Sequence, residues 1–146
     1  MERYTNYYCD MDGVLADFNA EPNAVERFRN EKGFFKNLKP IADNLKAIEL
    51  LSKQRNTNVF ILSASPNVRC DKDKMVWLKK YAPFIKPENI IIMRVGQNKA
   101  DFMKTDKGIL FDDYGKNCKE WQENGNFAIK VDTAKTILDF YHDYYM

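Results

Sequence analysis

Two carboxylates stand one residue apart at the end of an apolar, aromatic run near the start of the chain. Asp10 and Asp12 follow Tyr7-Tyr8-Cys9, and Gly13 comes directly after them. A carboxylate can attack phosphorus, and a neighbouring carboxyl with a raised pKa can protonate the leaving oxygen and then deprotonate water. Gly13 allows an unusual backbone φ and a close approach to a phosphate. A plain turn also uses Asp and Gly, but the residues below favour a site with Asp10 as nucleophile and Asp12 as general acid and base.

Further polar side chains follow two other strand-like runs. Ser63 closes the apolar run 59–62, and Asp112 and Asp113 close the run 109–111. Aspartates gathered at one rim repel each other unless a cation joins them, and Mg²⁺ prefers carboxylate oxygens together with substrate phosphate. Ser63 can donate a hydrogen bond to a phosphoryl oxygen, and a lysine is needed to balance the charge of the transition state. These residues predict a magnesium and phosphate site.

The elements that must position these residues alternate between strand and helix. The strand-like stretches are 4–10, 58–63, 89–93, 108–111 and 127–131. The helix-like stretches are 21–31, 43–54, 71–81, 114–124 and 133–144. This order predicts an α/β fold with a mostly parallel five-stranded sheet flanked by helices. In such sheets ligands bind beyond the carboxyl ends of the strands, where the polar residues lie.

Composition excludes several classes of function. The chain has 146 residues, a net charge of +2 and 45% hydrophobic residues, which fits one globular domain and does not indicate stable nucleic-acid binding. No apolar run is long enough to cross a bilayer, and an odd number of cysteines without metal-type spacing favours a reducing, cytoplasmic compartment. His142 is the only histidine, so a histidine-based triad or zinc site is not expected.

The motifs together resemble a known superfamily. Asp10-Met11-Asp12-Gly13-Val14 resembles motif one of the haloacid dehalogenase-like (HAD) phosphatases, Ser63 resembles motif two, and Asp112-Asp113 resembles motif four. The wider stretches Ala16-Asp17-Phe18, Gly33-Phe34-Phe35, Leu38-Lys39-Pro40 and Ser65-Pro66 are similar to the 5′(3′)-deoxyribonucleotidase branch. The resemblance implies a single Rossmann-like HAD hydrolase domain over residues 1–146. It also implies a phosphoric monoester phosphatase that depends on Mg²⁺ and acts through an aspartyl-phosphate intermediate, releasing phosphate from (deoxy)nucleoside monophosphates.

The resemblance also implies roles for individual residues. Asp10, Asp112 and the backbone carbonyl of Asp12 would bind the metal, with Asp113 in support, while Asp10, Asp12, Ser63 and a motif-three lysine would be catalytic. Lys99 is the preferred lysine because it leaves room for a helical turn before the fourth strand, and Lys104 and Lys107 are its rivals. The substrate-binding set would be Gly13, Phe18, Phe34, Phe35, Ala64 and Ser65.

The stretch available for a cap domain is short. Between motif one and motif two, only residues 18–38 are available for a cap, which allows a minimal helical cap and leaves the pocket open. Three alternatives to a nucleotide therefore stay open: a phosphosugar or other small phosphorylated metabolite, a phosphorylated macromolecule end, or a non-catalytic module that binds phosphate. A partner subunit could complete the cap, so a homodimer is also an open option.

Overall fold

The chain forms a five-stranded parallel sheet in the order β3-β2-β1-β4-β5. The computed structural model describes residues 3–146. The strands are β1 (Thr5–Cys9), β2 (Thr57–Ser65), β3 (Ile90–Arg94), β4 (Ile109–Asp112) and β5 (Phe127–Lys130). The helices are α1 (Ala24–Arg27), α2 (Ala42–Ser52), α3 (Val68–Tyr81), α4 (Gly115–Glu123) and α5 (Ile137–Tyr145). The α/β class, the parallel sheet and all five predicted strands are confirmed.

Both faces of the sheet are covered, which explains why its central strands are apolar throughout. On one face, Tyr7 and Cys9 of β1 pack with residues of α2, α3 and α5, including Ile48, Trp77 and Phe140. On the other face, Tyr8 packs with the apolar residues of β2 to β4 and with the α4 residue Trp121. The first strand is therefore buried on both sides and fixes the position of the residue that follows it.

The register of the central strands brings the acidic residues together. Cys9 lies level with Ile61 of β2 and Phe111 of β4. Asp10 and Asp112 each follow these residues by one position, so they lie side by side at the carboxyl edge of the sheet. Ser63 is two residues beyond Ile61 and lies at the same edge.

Several helix boundaries differ from the sequence-based prediction. The helix predicted over 21–31 is reduced to the four residues of α1, and Arg27 instead binds the carbonyl of Pro22 and the carboxylate of Glu31. The last helix begins at Ile137 rather than near Thr133. The side chain of Asp132 accepts the backbone N–H groups of Ala134 and Lys135, which forms a turn before the helix can start.

The segment between β1 and α2 is irregular. After α1, a short 3-10 turn over Phe35–Asn37 leads into α2. Trp77 of α3 donates its indole N–H to the carbonyl of Leu38 at 2.8 Å, which ties this segment to α3. None of the helices within residues 3–146 combines the length and apolar character needed to cross a membrane.

Candidate active site

Asp10 is held between the two central strands. It is the first residue after β1, its backbone N–H donates to the carbonyl of Phe111 at 2.9 Å, and its Oδ1 accepts the N–H of Met11 at 2.9 Å. The residue is 8% exposed. The carboxylate therefore has a fixed orientation at the rim, close to the end of β4.

Asp112 is fully buried, and both of its side-chain oxygens accept hydrogen bonds. Its Oδ1 accepts the backbone N–H of Tyr114 at 2.9 Å. Its Oδ2 accepts from Lys99 Nζ at 2.8 Å and from the side-chain amide of Asn117 at 3.1 Å. Sequence analysis missed Asn117; its only signal is its place in the first turn of the helix that follows the acidic pair.

Lys99 bridges the two carboxylates. Its Nζ lies 3.0 Å from Asp10 Oδ1 and 2.8 Å from Asp112 Oδ2, and the side chain is 2% exposed. A 3-10 turn, capped by Asn98, presents this lysine to the rim. Lys104 instead donates to the carbonyl of Glu88, and Lys107 is exposed. Of the three candidate lysines, the structure brings Lys99 to the predicted site.

Crowding of the carboxylates shifts their protonation. Burial raises the pKa of Asp10 well above its ordinary value, and the charge of Asp112 raises it further, while Lys99 opposes both effects. Burial by itself would lower the pKa of Lys99, but the charges of Asp10 and Asp112 hold that pKa above its ordinary value. Burial also raises the pKa of Asp113, against the hydrogen bond from Asn19. Burial and the neighbouring charge of Asp112 therefore both disfavour the ionised forms of Asp10 and Asp113, an effect that a bound cation would oppose.

Three carboxylates are arranged so that they could hold a metal ion. Asp10, Asp112 and Asp113 each offer an oxygen, and these oxygens lie within 4.8 Å of one another. An all-oxygen, carboxylate-rich set suits Mg²⁺. Asp113, expected only in support, therefore contributes its own oxygen to the cluster, whereas the side chain of Asp12 lies outside it.

Gly13 makes room for Asp113. Its φ is +82°, and a Cβ at this position would lie 2.0 Å from Asp113 Oδ2. Asn19 donates to the same oxygen at 3.1 Å. The glycine after the two aspartates is therefore required both by its backbone angle and by the close approach of the acidic cluster.

Asp12 and Ser63 meet at a second buried lysine that sequence analysis missed. Lys74 of α3 is 0% exposed and donates to Asp12 Oδ2, to Ser63 Oγ and to the carbonyl of Ala64. The available signal was helical periodicity, because Lys74 shares the buried face of α3 with Cys70, Trp77 and Leu78. A buried lysine needs an anionic partner, and the half-buried Asp12 is that partner.

Two of the aromatic side chains expected in the pocket wall are buried in this structure. Phe34 and Phe35 are each 2% exposed and pack edge-on against each other and beside the half-buried Phe18, so they present no open face on which a base could stack. The Phe35 ring instead lies 4.4 Å from Lys74 Nζ. Ser65 is also buried, and its hydroxyl donates to the carbonyl of Asn67.

Two clefts open beside the carboxylates. One, of about 540 Å³, is lined by Gly13, Asp17, Asn19 and Asp113 together with the segment after β5. The other, of about 260 Å³, is lined by Ala64, Lys99 and Tyr114 and by the loop after β3. A small ligand bound at the carboxylates therefore has space on either side of the rim.

Comparison with protein families identifies the group to which the chain is related. Residues 19–142 match the model of the 5′ nucleotidase, deoxy (pyrimidine), cytosolic type C protein family. The chain belongs to this nucleotidase family. The matched range covers Ser63, Lys99, Asp112 and Asp113 and begins just after the first motif.

A phage relative agrees with the family. A protein of Vibrio phage KVP40, provisionally described as a 5′(3′)-deoxyribonucleotidase, is 34% identical over 85 residues, which are 51% of this chain and 49% of the relative. The match thus spans about half the length of that relative.

Solved structures agree on the fold. The HAD domain of effector Lem4 from Legionella pneumophila has a TM-score of 0.58 at 15% identity, over 97% of this chain and 93% of that one. A chain of the Pnkp1/Rnl/Hen1 complex has a TM-score of 0.67 at 16% identity, over 90% of this chain and 47% of that one. At these identities the likeness shows the HAD fold alone.

Proposed function

We propose that this nucleotidase-family chain is a magnesium-dependent phosphomonoesterase that acts through a phosphorylated Asp10. The observation that carries the proposal is the bridge from Lys99 to Asp10 and Asp112, with Asp113 in the same oxygen cluster. Asp10, Asp112 and Asp113, with the backbone carbonyl of Asp12, would hold Mg²⁺. The bound ion would neutralise charge on the rim and on the transferring phosphoryl group.

The reaction divides into two displacements. In the first, a carboxylate oxygen of Asp10 bonds to phosphorus while the ester P–O bond breaks, and the leaving oxygen takes a proton from Asp12. In the second, Asp12 takes a proton from water, the water oxygen bonds to phosphorus, and the bond from phosphorus to Asp10 breaks. Lys99 and the hydroxyl of Ser63 would stabilise negative charge on the phosphoryl oxygens in both steps.

The substrate class follows from the family rather than from the pocket. Membership of a family named for deoxy-pyrimidine 5′ nucleotidases supports (deoxy)nucleoside monophosphates as substrates. The burial of Phe34 and Phe35 leaves Phe18 as the remaining member of the expected aromatic wall. This observation favours the alternative that the open site serves a sugar phosphate or another small phosphorylated metabolite.

A phosphate-release assay tests the proposal and separates the two substrate classes. The wild-type chain and the variants Asp10→Asn and Asp106→Asn would be assayed on deoxynucleoside monophosphates and sugar phosphates, with Mg²⁺ or EDTA. We expect Mg²⁺-dependent release by the wild type and by Asp106→Asn, whose carboxylate is exposed, and none by Asp10→Asn. Equal release by Asp10→Asn would refute the mechanism, and equal rates on both substrate classes would support the alternative.

Two further expectations remain predictions. A cytoplasmic location and a homodimer that completes the short cap would be tested by fractionation and by light scattering of the purified chain. Neither is needed for the chemistry proposed above.

A further inference from the structure

The buried lysine of α3 has no place in the two displacements described above. Lys74 Nζ donates to Asp12 Oδ2, to Ser63 Oγ at 2.8 Å and to the carbonyl of Ala64 at 2.7 Å. An ammonium has three N–H donors, so these three bonds use all of them. The ring of Phe35 covers the remaining side at 4.4 Å. Lys74 therefore has no donor left to offer to a phosphate.

The effect of Lys74 on Asp12 is to fix one oxygen and leave the other available. Asp12 Oδ2 is bound to the lysine, whereas Asp12 Oδ1 is buried and has no hydrogen-bond partner. Within residues 3–146 it is the one buried side-chain nitrogen or oxygen of this kind. A buried carboxylate oxygen without a partner is costly, and such atoms occur where a ligand completes the bonding. The oxygen that is left unpaired is the one that can exchange a proton with the leaving group or with water.

Lys74 constrains Ser63 in the same way. The Ser63 hydroxyl is fully buried and accepts a hydrogen bond from Lys74. Since one lone pair is engaged by the lysine, the O–H proton must point elsewhere. The hydroxyl is thereby set to act as a donor, which is what a phosphoryl oxygen requires.

We propose that Lys74 is a positioning residue that orients Asp12 for proton transfer and Ser63 for phosphate binding without touching the substrate. This inference rests on the proposed function, because it assigns the groups through which that chemistry would be controlled. It also gives the 18–38 segment a role: the ring of Phe35 shields the ammonium from water, so that the ion pair with Asp12 keeps a single geometry.

Leaving-group dependence distinguishes positioning of a proton donor from a general structural role. An alkyl ester such as a deoxynucleoside monophosphate needs protonation of its leaving oxygen, whereas p-nitrophenyl phosphate expels a weakly basic phenolate. In Lys74→Met we expect the first-turnover rate to fall about 100-fold or more on the alkyl ester and less than about tenfold on the aryl ester. With the aryl ester, we also expect a burst of p-nitrophenolate followed by slow turnover, because Asp12 must also activate the water.

A matched control separates this effect from loss of a lysine as such. Lys72 lies two residues away on the same helix and is exposed. Lys72→Met should keep both rates at wild-type values, and thermal unfolding would verify that each variant is folded. Equal losses on both esters in Lys74→Met, or no loss on either, would overturn the proposal.

A double-mutant comparison decides the question even if Lys74→Met does not fold. Removing both partners leaves no buried unpaired carboxylate, so Asp12→Asn with Lys74→Met avoids the main source of instability. If Lys74 acts through Asp12 and Ser63, adding Lys74→Met to Asp12→Asn should lower the alkyl-ester rate by less than about tenfold, which is the part left to Ser63, rather than by the loss of about 100-fold expected with Asp12 intact. A further loss of about 100-fold would show that Lys74 does not act through Asp12 and would overturn the proposal.

The outcome is separable from a failure of the proposed function. A wild-type chain that releases no phosphate from either ester would refute the phosphatase itself. An active wild type with equal losses in Lys74→Met would refute only the positioning role.

Discussion

At the scale of single residues, the acidic cluster depends on a position without a side chain. Gly13 combines a φ of +82° with a contact to Asp113, and Gly125 offers a matched control because it has a φ of +79° with nothing within 4 Å of an added Cβ. Both positions require a positive φ, but only at Gly13 would an added side chain also clash with a neighbouring residue.

Alanine at these two glycines separates backbone strain from displacement of the carboxylate. We expect Gly125→Ala to lower the free energy of unfolding by about 1 kcal/mol, because alanine disfavours a positive φ. Gly13→Ala should cost more stability and should also weaken Mg²⁺ binding, since the new methyl group must push Asp113 aside. Urea denaturation and Mg²⁺ titration check this, and equal Mg²⁺ affinity in both variants would contradict it.

Among the described contacts, Lys99 is the cation that pairs with the buried carboxylates of Asp10 and Asp112. Lys99→Met leaves Asp10 and Asp112 facing each other in a buried site, which should lower the free energy of unfolding by about 3–5 kcal/mol. Lys107→Met, at an exposed rival position, should stay within about 0.5 kcal/mol of the wild type. Because Mg²⁺ can neutralise the same carboxylates as the lysine, added Mg²⁺ should restore part of the free energy of unfolding lost in Lys99→Met. A Lys99→Met variant as stable as Lys107→Met would contradict the geometry.

The sequence showed the acids but could not show all their partners. Asp10, Asp12 and Asp112 were predictable because each lies at or just after a strand end, where chemistry is expected in a parallel sheet. Lys99 was predictable from its spacing before the fourth strand. Lys74 and Asn117 were not, because each approaches from a helix and its target becomes visible only once the helix is packed. Phe34 and Phe35 were expected in the substrate-binding set, but packing places both rings in the core.

At the scale of elements, the 18–38 segment packs on α3 rather than forming a separate lid. The link is the indole N–H of Trp77, which donates to the carbonyl of Leu38 and holds the 3-10 turn with Phe35 over Lys74. Trp121 of α4 is equally buried and donates to the carbonyl of Gly108, at the opposite end of β4 from Asp112.

The two tryptophans give a matched pair of substitutions. Trp77→Phe and Trp121→Phe each remove one N–H and leave a buried carbonyl unpaired, so each should cost about 1–3 kcal/mol of stability. Only Trp77→Phe should also slow turnover of an alkyl phosphate ester, because only that bond supports the cover over Lys74. Thermal unfolding and steady-state rates check this. Equal turnover in the two variants would contradict a role of the 18–38 segment in supporting the active site.

The strands could be predicted more fully than the helices before the fold was known. A continuous apolar run such as Val59–Leu62 is diagnostic in a sheet covered on both faces. Helix starts depend on local competition. Asn67 caps α3, which begins three residues earlier than predicted, and the turn formed by Asp132 delays the start of α5. The short α1 shows that a polar stretch without an apolar face does not sustain a helix by sequence alone.

At the scale of the whole molecule, the rim couples metal binding to stability. Burial and the charge of Asp112 raise the pKa of Asp10, and burial raises that of Asp113, so the metal-free folded state holds protons more tightly than the unfolded chain. The contribution of these two carboxyl groups to the free energy of unfolding is therefore largest below the ordinary aspartate pKa. It is lost as the pH rises through their raised pKa values.

Magnesium should therefore stabilise the fold, and more so at higher pH. At a free concentration of about 100 times its dissociation constant, Mg²⁺ should add about 2.7 kcal/mol to the free energy of unfolding. The increment should shrink as the pH falls, because protons compete for the same carboxylates. Thermal shifts with and without Mg²⁺ across a pH series measure it, and Asp112→Asn should abolish it. An increment that is independent of pH, or unchanged in Asp112→Asn, would place the metal elsewhere.

The central claim is that Asp10 carries the phosphoryl group during turnover. The most direct test is peptide mass spectrometry of the Asp12→Asn variant, acid-quenched after mixing with p-nitrophenyl phosphate and Mg²⁺. Without the base that activates water, the intermediate should persist, and one phosphoryl group should be found on Asp10. An unmodified Asp10 peptide in a variant that still releases phosphate at the wild-type rate would contradict the account.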